Sequence, residues 1–339
     1  MQTLDEIWQQ PEKHQTLSEK YPEVVKGLKQ FILNKKPEEI NFVGCGSSYY
    51  LAMGLSKHFN RLSGGEISSN YYSGSEIMFG LSRLPAGSLL VGLSRSGESS
   101  ETVEALKKAK DYGAYTAAVT CEPGSAMTRV ADVTSEMDFI EEKSIVMTKS
   151  FTSMAFLISA LARDIFSNES LKSYLKKIPE LSKKVLNDAE SLFDEINPGK
   201  FEHFAFLGYD EYFSAAMEGV IKVTETSLSD VDCYQTLEYR HGPKSKIKTN
   251  SLVAILANSR LYKEEEKMAR EIIELGGTVI SVASMKFQGI KGIELSYEED
   301  DFGDWFLRVI PLQLIGIKRA IAKGLDPDKP THLSKVVKF

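Results

Sequence analysis

Along the chain, short runs of apolar and β-branched residues alternate with longer stretches whose apolar positions return every three or four residues. This is the pattern of strands alternating with amphipathic helices. Val24, Val25, Leu28, Phe31 and Ile32 share one face of a helix predicted over 23–36. Strands are predicted over 40–44, 88–94, 115–120 and 132–137, with helices over 48–61, 98–112 and 150–166. A stretch rich in Lys, Glu, Leu and Ser predicts a helix over 169–195, and the turn signal Asn197-Pro198-Gly199 follows it. Beyond that boundary come strands over 203–209, 251–257 and 278–283 and helices over 211–227, 262–275 and 302–323. Strand and helix in regular alternation predict an α/β fold with parallel sheets.

The two series superpose. At an offset of 164 residues Phe42 meets Phe206, Gly44 meets Gly208, Ala52 meets Ala216 and Met53 meets Met217. At 163 the segment SLLVGLSRS (88–96) meets SLVAILANS (251–259), and Gly113 meets Gly276. Several matches at equivalent strand-to-helix positions indicate a duplicated α/β unit. The copies differ after their strands. Gly44-Cys45-Gly46-Ser47-Ser48 and Ser94-Arg95-Ser96-Gly97-Glu98-Ser99 in the first copy face Gly208-Tyr209-Asp210-Glu211 and Ala257-Asn258-Ser259-Arg260 in the second. Small hydroxyl residues are thus concentrated in one half, which is the half expected to carry an anion site.

Composition narrows the class. A length of 339 residues fits about two domains, and 42% apolar with 26% charged residues is an ordinary globular composition. No run approaches 18 apolar residues, and the start MQTLDEIWQQPEKHQ lacks the basic and apolar regions of a signal peptide, so a cytoplasmic protein without a membrane span is expected. The balance of 41 Lys and Arg against 47 Asp and Glu gives a net charge of −6, and no basic block suits a nucleic-acid backbone. Cys45, Cys121 and Cys233 have no metal-ligand spacing and are odd in number, so reduced thiols, no metal and no cofactor are expected.

Chemistry is expected beyond the carboxyl ends of the strands, where a loop entering a helix offers backbone N–H groups and the positive end of a helix dipole. GCGSS and SRSGESS both suit a phosphate there, through close backbone approach at glycine and donation from serine. The alternative is a tight turn with a helix cap at Ser47 or Ser48 and at Ser96 or Ser99. In the second half Glu218, Lys222 and Glu225 lie on one helix face, either as an exposed salt-bridge ladder or as an acid/base set. Leu237-Glu238-Tyr239-Arg240-His241-Gly242-Pro243 fixes His241 on a turn between strands, for a proton-transfer or a structural role. His14, His58, His203 and His332 have no such setting. The segment 324–339 is expected to be extended, with Leu333, Val336 and Val337 pinning it and Lys335 pointing into a cleft.

Together, GCGSS, SRSGESSET, the KxxE helix, EYRHGP and the terminal DKPTHLSKVVKF resemble the double sugar-isomerase (SIS) domain proteins, above all the isomerase half of glucosamine-6-phosphate synthase and the related stand-alone isomerases and deaminases. The resemblance runs from about residue 20 to 339. It implies two tandem SIS domains, each a parallel sheet between helix layers, bounded as an N-terminal segment 1–22, a first domain 23–168, a helical linker 169–198, a second domain 199–323 and an active-site tail 324–339. It also implies a sugar phosphate on Gly46, Ser47, Ser48, Ser94, Ser96 and Ser99, isomerising Glu225 beside Lys222, ring-opening His241 given by the partner subunit of a homodimer, and Lys335 from the tail. Arg95 stands where the synthase has glutamine and is counted among the substrate-binding residues. Met147 stands where the synthase has a serine, and no glutaminase domain is expected ahead of residue 1.

The expected activity is an isomerising deaminase that converts glucosamine 6-phosphate to fructose 6-phosphate and ammonia. The alternatives are an aldose–ketose isomerase of a C6-anionic hexose, phosphate or a sulfonate such as sulfoquinovose, with Arg95 tolerating either anion, or a fructosamine-6-phosphate deglycase. A non-catalytic sugar-phosphate sensor is the alternative of a different class.

Overall fold

The computed structural model describes residues 1–167, 169–297 and 300–335. Its elements are α1 (Gln2–Trp8), α2 (Gln10–Lys35), β1 (Ile40–Gly44), α3 (Ser47–Leu62), β2 (Tyr71–Ser73), α4 (Gly74–Met78), β3 (Leu89–Leu93), α5 (Ser100–Asp111), β4 (Tyr115–Thr120), α6 (Ala126–Val130), β5 (Val133–Glu136), α7 (Lys149–Phe166) and α8 (Leu171–Ile196). The second series is β6 (His203–Gly208), α9 (Glu211–Ser227), β7 (Asp230–Tyr234), β8 (Ser251–Ala257), α10 (Tyr262–Glu274), β9 (Thr278–Ala283), β10 (Gly292–Glu294) and α11 (Val309–Ala322).

One five-stranded sheet has the order β2-β1-β3-β4-β5 and the other β7-β6-β8-β9-β10. Every pair within them is parallel. The two orders are the same path walked twice, which is the duplication read from the sequence. Both reverse direction between their first and third strands, and such a switch point is where open α/β sheets take ligands.

Strand alternation builds the layers. In the first sheet Val43, Leu90 and Ala118 pack with Ile77 of α4, Val103, Leu106 and Ala109 of α5 and Met127 of α6. Phe42, one residue from Val43 and so on the opposite face, meets Phe59 of α3 with ring centroids 5.1 Å apart. In the second sheet Ala205, Leu207, Val253, Ile255 and Val279 pack with Met268, Ala269 and Ile272 of α10.

Two compact units result. One contains the first sheet and comprises Glu12–Lys143, Met147–Lys176 and Ser334–Phe339; the other contains the second sheet and comprises Met1–Pro11, Ser144–Val146 and Lys177–Leu333. This division departs from the expected boundaries. The segment 1–22 is helical rather than separate: Thr3 Oγ1 and the Thr3 N–H bind Asp328, both at 2.7 Å, within the second-sheet unit. Helix α2 begins at Gln10, well before residue 23. It continues through Pro22 because Leu17, Tyr21, Val25, Leu28 and Ile32 form one buried stripe that outweighs the lost hydrogen bond. The linker is the single helix α8, whose residues fall to both units. The predicted helix 302–323 starts later, as a 3-10 turn Trp305–Arg308 leading into α11. No described helix is long and apolar enough to cross a membrane.

Candidate functional site

Loops after β1 and β3 flank the switch point of the first sheet, where the two strands are adjacent. Gly44 ends β1 beneath the first turn of α3: a Cβ there would lie 2.4 Å from the Ser48 carbonyl oxygen. Gly46 is the N-cap of α3 at φ 57° and ψ −127°, a region open to glycine and costly for other residues. Ser47 and Ser48 therefore fall inside the first turn, buried, and neither caps the helix.

In the loop after β3, Ser94 Oγ accepts the Gly97 N–H at 3.0 Å and Ser96 Oγ accepts the Glu98 N–H at 3.2 Å. Ser99 is the N-cap residue of α5 but makes no side-chain cap bond. A working cap in the same unit looks different: Ser73 and Glu76 form a reciprocal capping box at α4. The helix-cap alternative thus does not account for Ser47, Ser48, Ser96 or Ser99. The hydroxyls of Ser94 and Ser96 accept turn bonds and keep their own protons for donation.

Arg95 is not where an anion-binding arginine is expected. Its guanidinium Nη1 lies 3.0 Å from Glu142 Oε2, with both side chains buried. Glu142 also accepts from the Thr148 N–H at 2.8 Å, Thr148 Oγ1 at 2.9 Å and the Ser150 N–H at 3.1 Å, at the start of α7. Burial raises the Glu142 pKa, but the Arg95 charge and the Ser150 and Thr148 donors outweigh it and hold the carboxyl below its ordinary value. Arg95 is thus committed to a carboxylate of its own chain. Met147, the other departure from the synthase pattern, puts its sulfur 4.0 Å from Ser48 Oγ.

Lys335 reaches the same corner of this unit, its Nζ donating to the Glu142 carbonyl at 2.9 Å. The expectation that Leu333 pins the tail fails, since it is 41% exposed. Val336 and Val337 lie outside the described residues.

In the second-sheet unit, α9 carries Glu218, Lys222 and Glu225. Lys222 Nζ stands 2.8 Å from Glu225 Oε2 and 3.4 Å from Glu218 Oε1, with side-chain exposures of 2% for Lys222, 0% for Glu218 and 20% for Glu225. This excludes the exposed ladder. Packing explains the burial: α9 crosses α11 at close range because Gly219 faces Leu312 and Gly316 faces the Lys222 carbonyl and Thr226 Oγ1. The arrangement leaves one carboxylate reachable, beside a buried ammonium that is itself charge-compensated.

His241 ends a 3-10 turn, Glu238–His241, before Gly242 at φ 131°, and it is exposed. Its neighbours fix the turn: Arg240 Nη2 and Lys244 Nζ bind Glu271 of α10, both at 3.1 Å, and Tyr239 is buried in the sheet core. Elsewhere His203 bridges Ser251 Oγ at 2.9 Å and Asp232 Oδ2 at 3.1 Å. His203 and Ser251 open β6 and β8, so this serine–histidine–aspartate chain sits at the amino ends of those strands. Its serine is buried and accepts the Lys248 N–H, so it is a structural tie. The buried His14 binds Thr152 Oγ1 at 3.0 Å, and burial takes its pKa down to about 3.

Residues 32–163 match the SIS domain family. Glucosamine-6-phosphate deaminase from Thermotoga maritima superposes with a TM-score of 0.85 at 30% identity, covering 99% of each chain. The chain belongs to the SIS domain family. The C-terminal domain of glucosamine-fructose-6-phosphate aminotransferase from Francisella tularensis superposes on this SIS protein with a TM-score of 0.83 at 25% identity, covering 97% of this chain and 98% of that one. The isomerizing glutamine–fructose-6-phosphate aminotransferase of Aquifex aeolicus is 30% identical over 303 residues, covering 87% of this chain and 51% of the relative. The chain spans about half the length of the curated relatives it matches. Its two sheets are two tandem SIS domains, and its relatives are sugar-isomerase-type enzymes.

The sequence did not single out Glu142, which gathers Arg95 and Lys335, because it stands in the charged run Glu141-Glu142-Lys143 and looks solvated.

Proposed function

We propose that this SIS protein is an isomerising deaminase of an amino-sugar 6-phosphate. The observation that carries the reading is the row Glu218, Lys222 and Glu225: a buried lysine between two carboxylates, one of them reachable, is costly for a sensor to maintain and useful for moving a proton. The similarity to a glucosamine-6-phosphate deaminase along the full length of both chains supports it.

In this reading the phosphate is held by Ser47, Ser48, Ser94, Ser96 and Ser99 with the backbone at Gly46. His241 opens the ring. Glu225 takes the C2 proton of the open-chain amino sugar and returns it to C1, so that the enolamine becomes a C2 ketimine. Lys222 and Lys335 stabilise the developing charge. Water then adds to the ketimine carbon and ammonia leaves, giving fructose 6-phosphate. The exposed setting of His241 supports its being supplied to a partner subunit of a homodimer, and mixing Glu225→Ala with His241→Ala protein tests this by partial recovery of activity.

The primary test is incubation with glucosamine 6-phosphate, read by an ammonia probe and by mass spectrometry. Release of ammonia with fructose 6-phosphate is expected, and Glu225→Gln should lower kcat by ~10²-fold or more while substrate binding by calorimetry survives. No ammonia, with a 6-phosphorylated or 6-sulfonated hexose converted to its ketose, overturns the deaminase reading in favour of an isomerase.

A further inference from the structure

We propose that Arg95 is a positioning residue that latches the C-terminal tail at the serine loop, and that it does not hold the substrate anion. The proposal deepens the reading above, on which the role given to Lys335 rests.

Arg95 is fixed at both ends. Its carbonyl accepts the Cys121 N–H and Thr120 Oγ1, each at 3.1 Å, which ties the loop after β3 to the end of β4. Its guanidinium pairs with Glu142 through Nη1 at 3.0 Å and reaches the Lys335 carbonyl through Nη2 at 3.5 Å. Lys335 closes the ring, since its Nζ donates to the Glu142 carbonyl at 2.9 Å. One tail residue is therefore held twice, by its backbone and by its side chain, on a single buried ion pair that also anchors the start of α7.

The two cations of this ring are not equivalent. Arg95 faces a buried carboxylate, and removing it would strand that charge; a guanidinium in such a pair stays put. Lys335 faces a neutral carbonyl and is exposed, so its bond exchanges readily for a charge-assisted one to an arriving dianion. The chemistry predicts a fixed Arg95 that sets where the tail lies and a movable Lys335 that answers the ligand. A planar fork suits this, because it reaches a carboxylate and a carbonyl from separate nitrogens in one fixed geometry.

The test separates the latch from substrate choice. Full-length wild type, Arg95→Gln and Arg95→Lys are compared for tryptic cleavage after Lys335, followed by mass spectrometry, with thermal melting as the check on folding. Arg95→Lys keeps a cation against Glu142 and so preserves the buried pair should Arg95→Gln fail to fold. Cleavage after Lys335 is expected to accelerate about tenfold or more in both variants, with cleavage after Lys323 unchanged. Inorganic phosphate affinity by calorimetry is expected to stay within about twofold in Arg95→Lys, and turnover to fall through kcat rather than KM. Unchanged cleavage after Lys335 together with phosphate binding weakened tenfold overturns the proposal and makes Arg95 an anion ligand. Because proteolysis needs no substrate, failure of the ammonia assay would not touch the latch, nor failure of the latch the deaminase reading.

Discussion

Replacing Lys222 by Met removes the charge at the centre of the α9 row while keeping an unbranched chain of nearly the same length. Lys222 is 2.8 Å from Glu225 and 3.4 Å from Glu218, and Glu218 is fully buried. Taking one partner from a buried pair costs ~3–5 kcal/mol, because the remaining charge cannot be hydrated. The two acids should respond differently. Glu225 keeps 20% of its side chain exposed and can recruit water, whereas Glu218 cannot. Glu218→Gln in the Lys222→Met background should therefore recover ~1–3 kcal/mol, the usual coupling of residues in contact, and Glu225→Gln appreciably less. Urea unfolding followed by tryptophan fluorescence is the assay. The two tryptophans, Trp8 and Trp305, both belong to the second-sheet unit, so the signal reports the unit that holds the row. Additive effects of the Lys222 and Glu218 changes, or a larger rescue from Glu225→Gln, would refute this account.

Other consequences are equally direct. Burial pushes the Glu265 carboxyl up to about 7, although Thr236 and the Asn258 N–H pull it down. The folded state thus binds the extra proton, and a contribution of about 3 kcal/mol, complete below pH ~4.3, is lost as the pH rises through about 7; Glu265→Gln should flatten urea midpoints measured from pH 5 to 8. Asp210, the N-cap of α9, has φ 48° and ψ −121°, close to the geometry that glycine adopts at Gly46. Asp210→Gly should stabilise by about 1 kcal/mol in the same assay, and a loss of stability would contradict the strain argument. A Cβ on Gly219 would come 2.3 Å from Leu312 Cδ1, so Gly219→Ala should cost ~1–3 kcal/mol and lower kcat by displacing α9; an unchanged melting temperature would show that the crossing has slack.

Much of the fold was legible because central strands such as β3 and β8 are continuous apolar runs that need no context to be recognised. The edge strands β2, β7 and β10 were not, since Tyr71–Ser73, Asp230–Tyr234 and Gly292–Glu294 are short and half-polar, and the neighbouring strand, not local composition, makes them strands. The helix predicted from residue 23 stops short of Pro22, which lies inside α2 because a long buried stripe prevails, whereas the helix predicted over 169–195 already runs through Pro179 of α8. At the site, spacing gave the common face of Glu218, Lys222 and Glu225 but not its burial, which depends on α11 arriving from far along the chain. The partners of Arg95 within the chain are illegible for the same reason: Glu142 is 47 residues away and the Lys335 carbonyl 240.

Divergence of the two copies has a physical end point in Asp301. Ser259 corresponds to Ser96 at the 163-residue offset, and in the second-sheet unit its N–H and Oγ bind Asp301 Oδ2 at 2.8 and 3.2 Å, while Ser284 Oγ donates to Oδ1 at 3.3 Å. Nearby, buried Arg308 pairs with Asp304 and donates to the carbonyls of Ala257 and Val282, at the ends of β8 and β9. The positions where the duplicated fold would take an outside anion are thus filled by the chain's own charges, and a carboxylate does locally what a phosphate would do. Asp301→Ala should therefore lower the melting temperature, and sulfate should restore it in that variant beyond its general effect on wild type, because the vacated donors accept a second oxyanion. Equal sulfate responses in the two proteins would mean that Asp301 closes a loop without standing in for an anion.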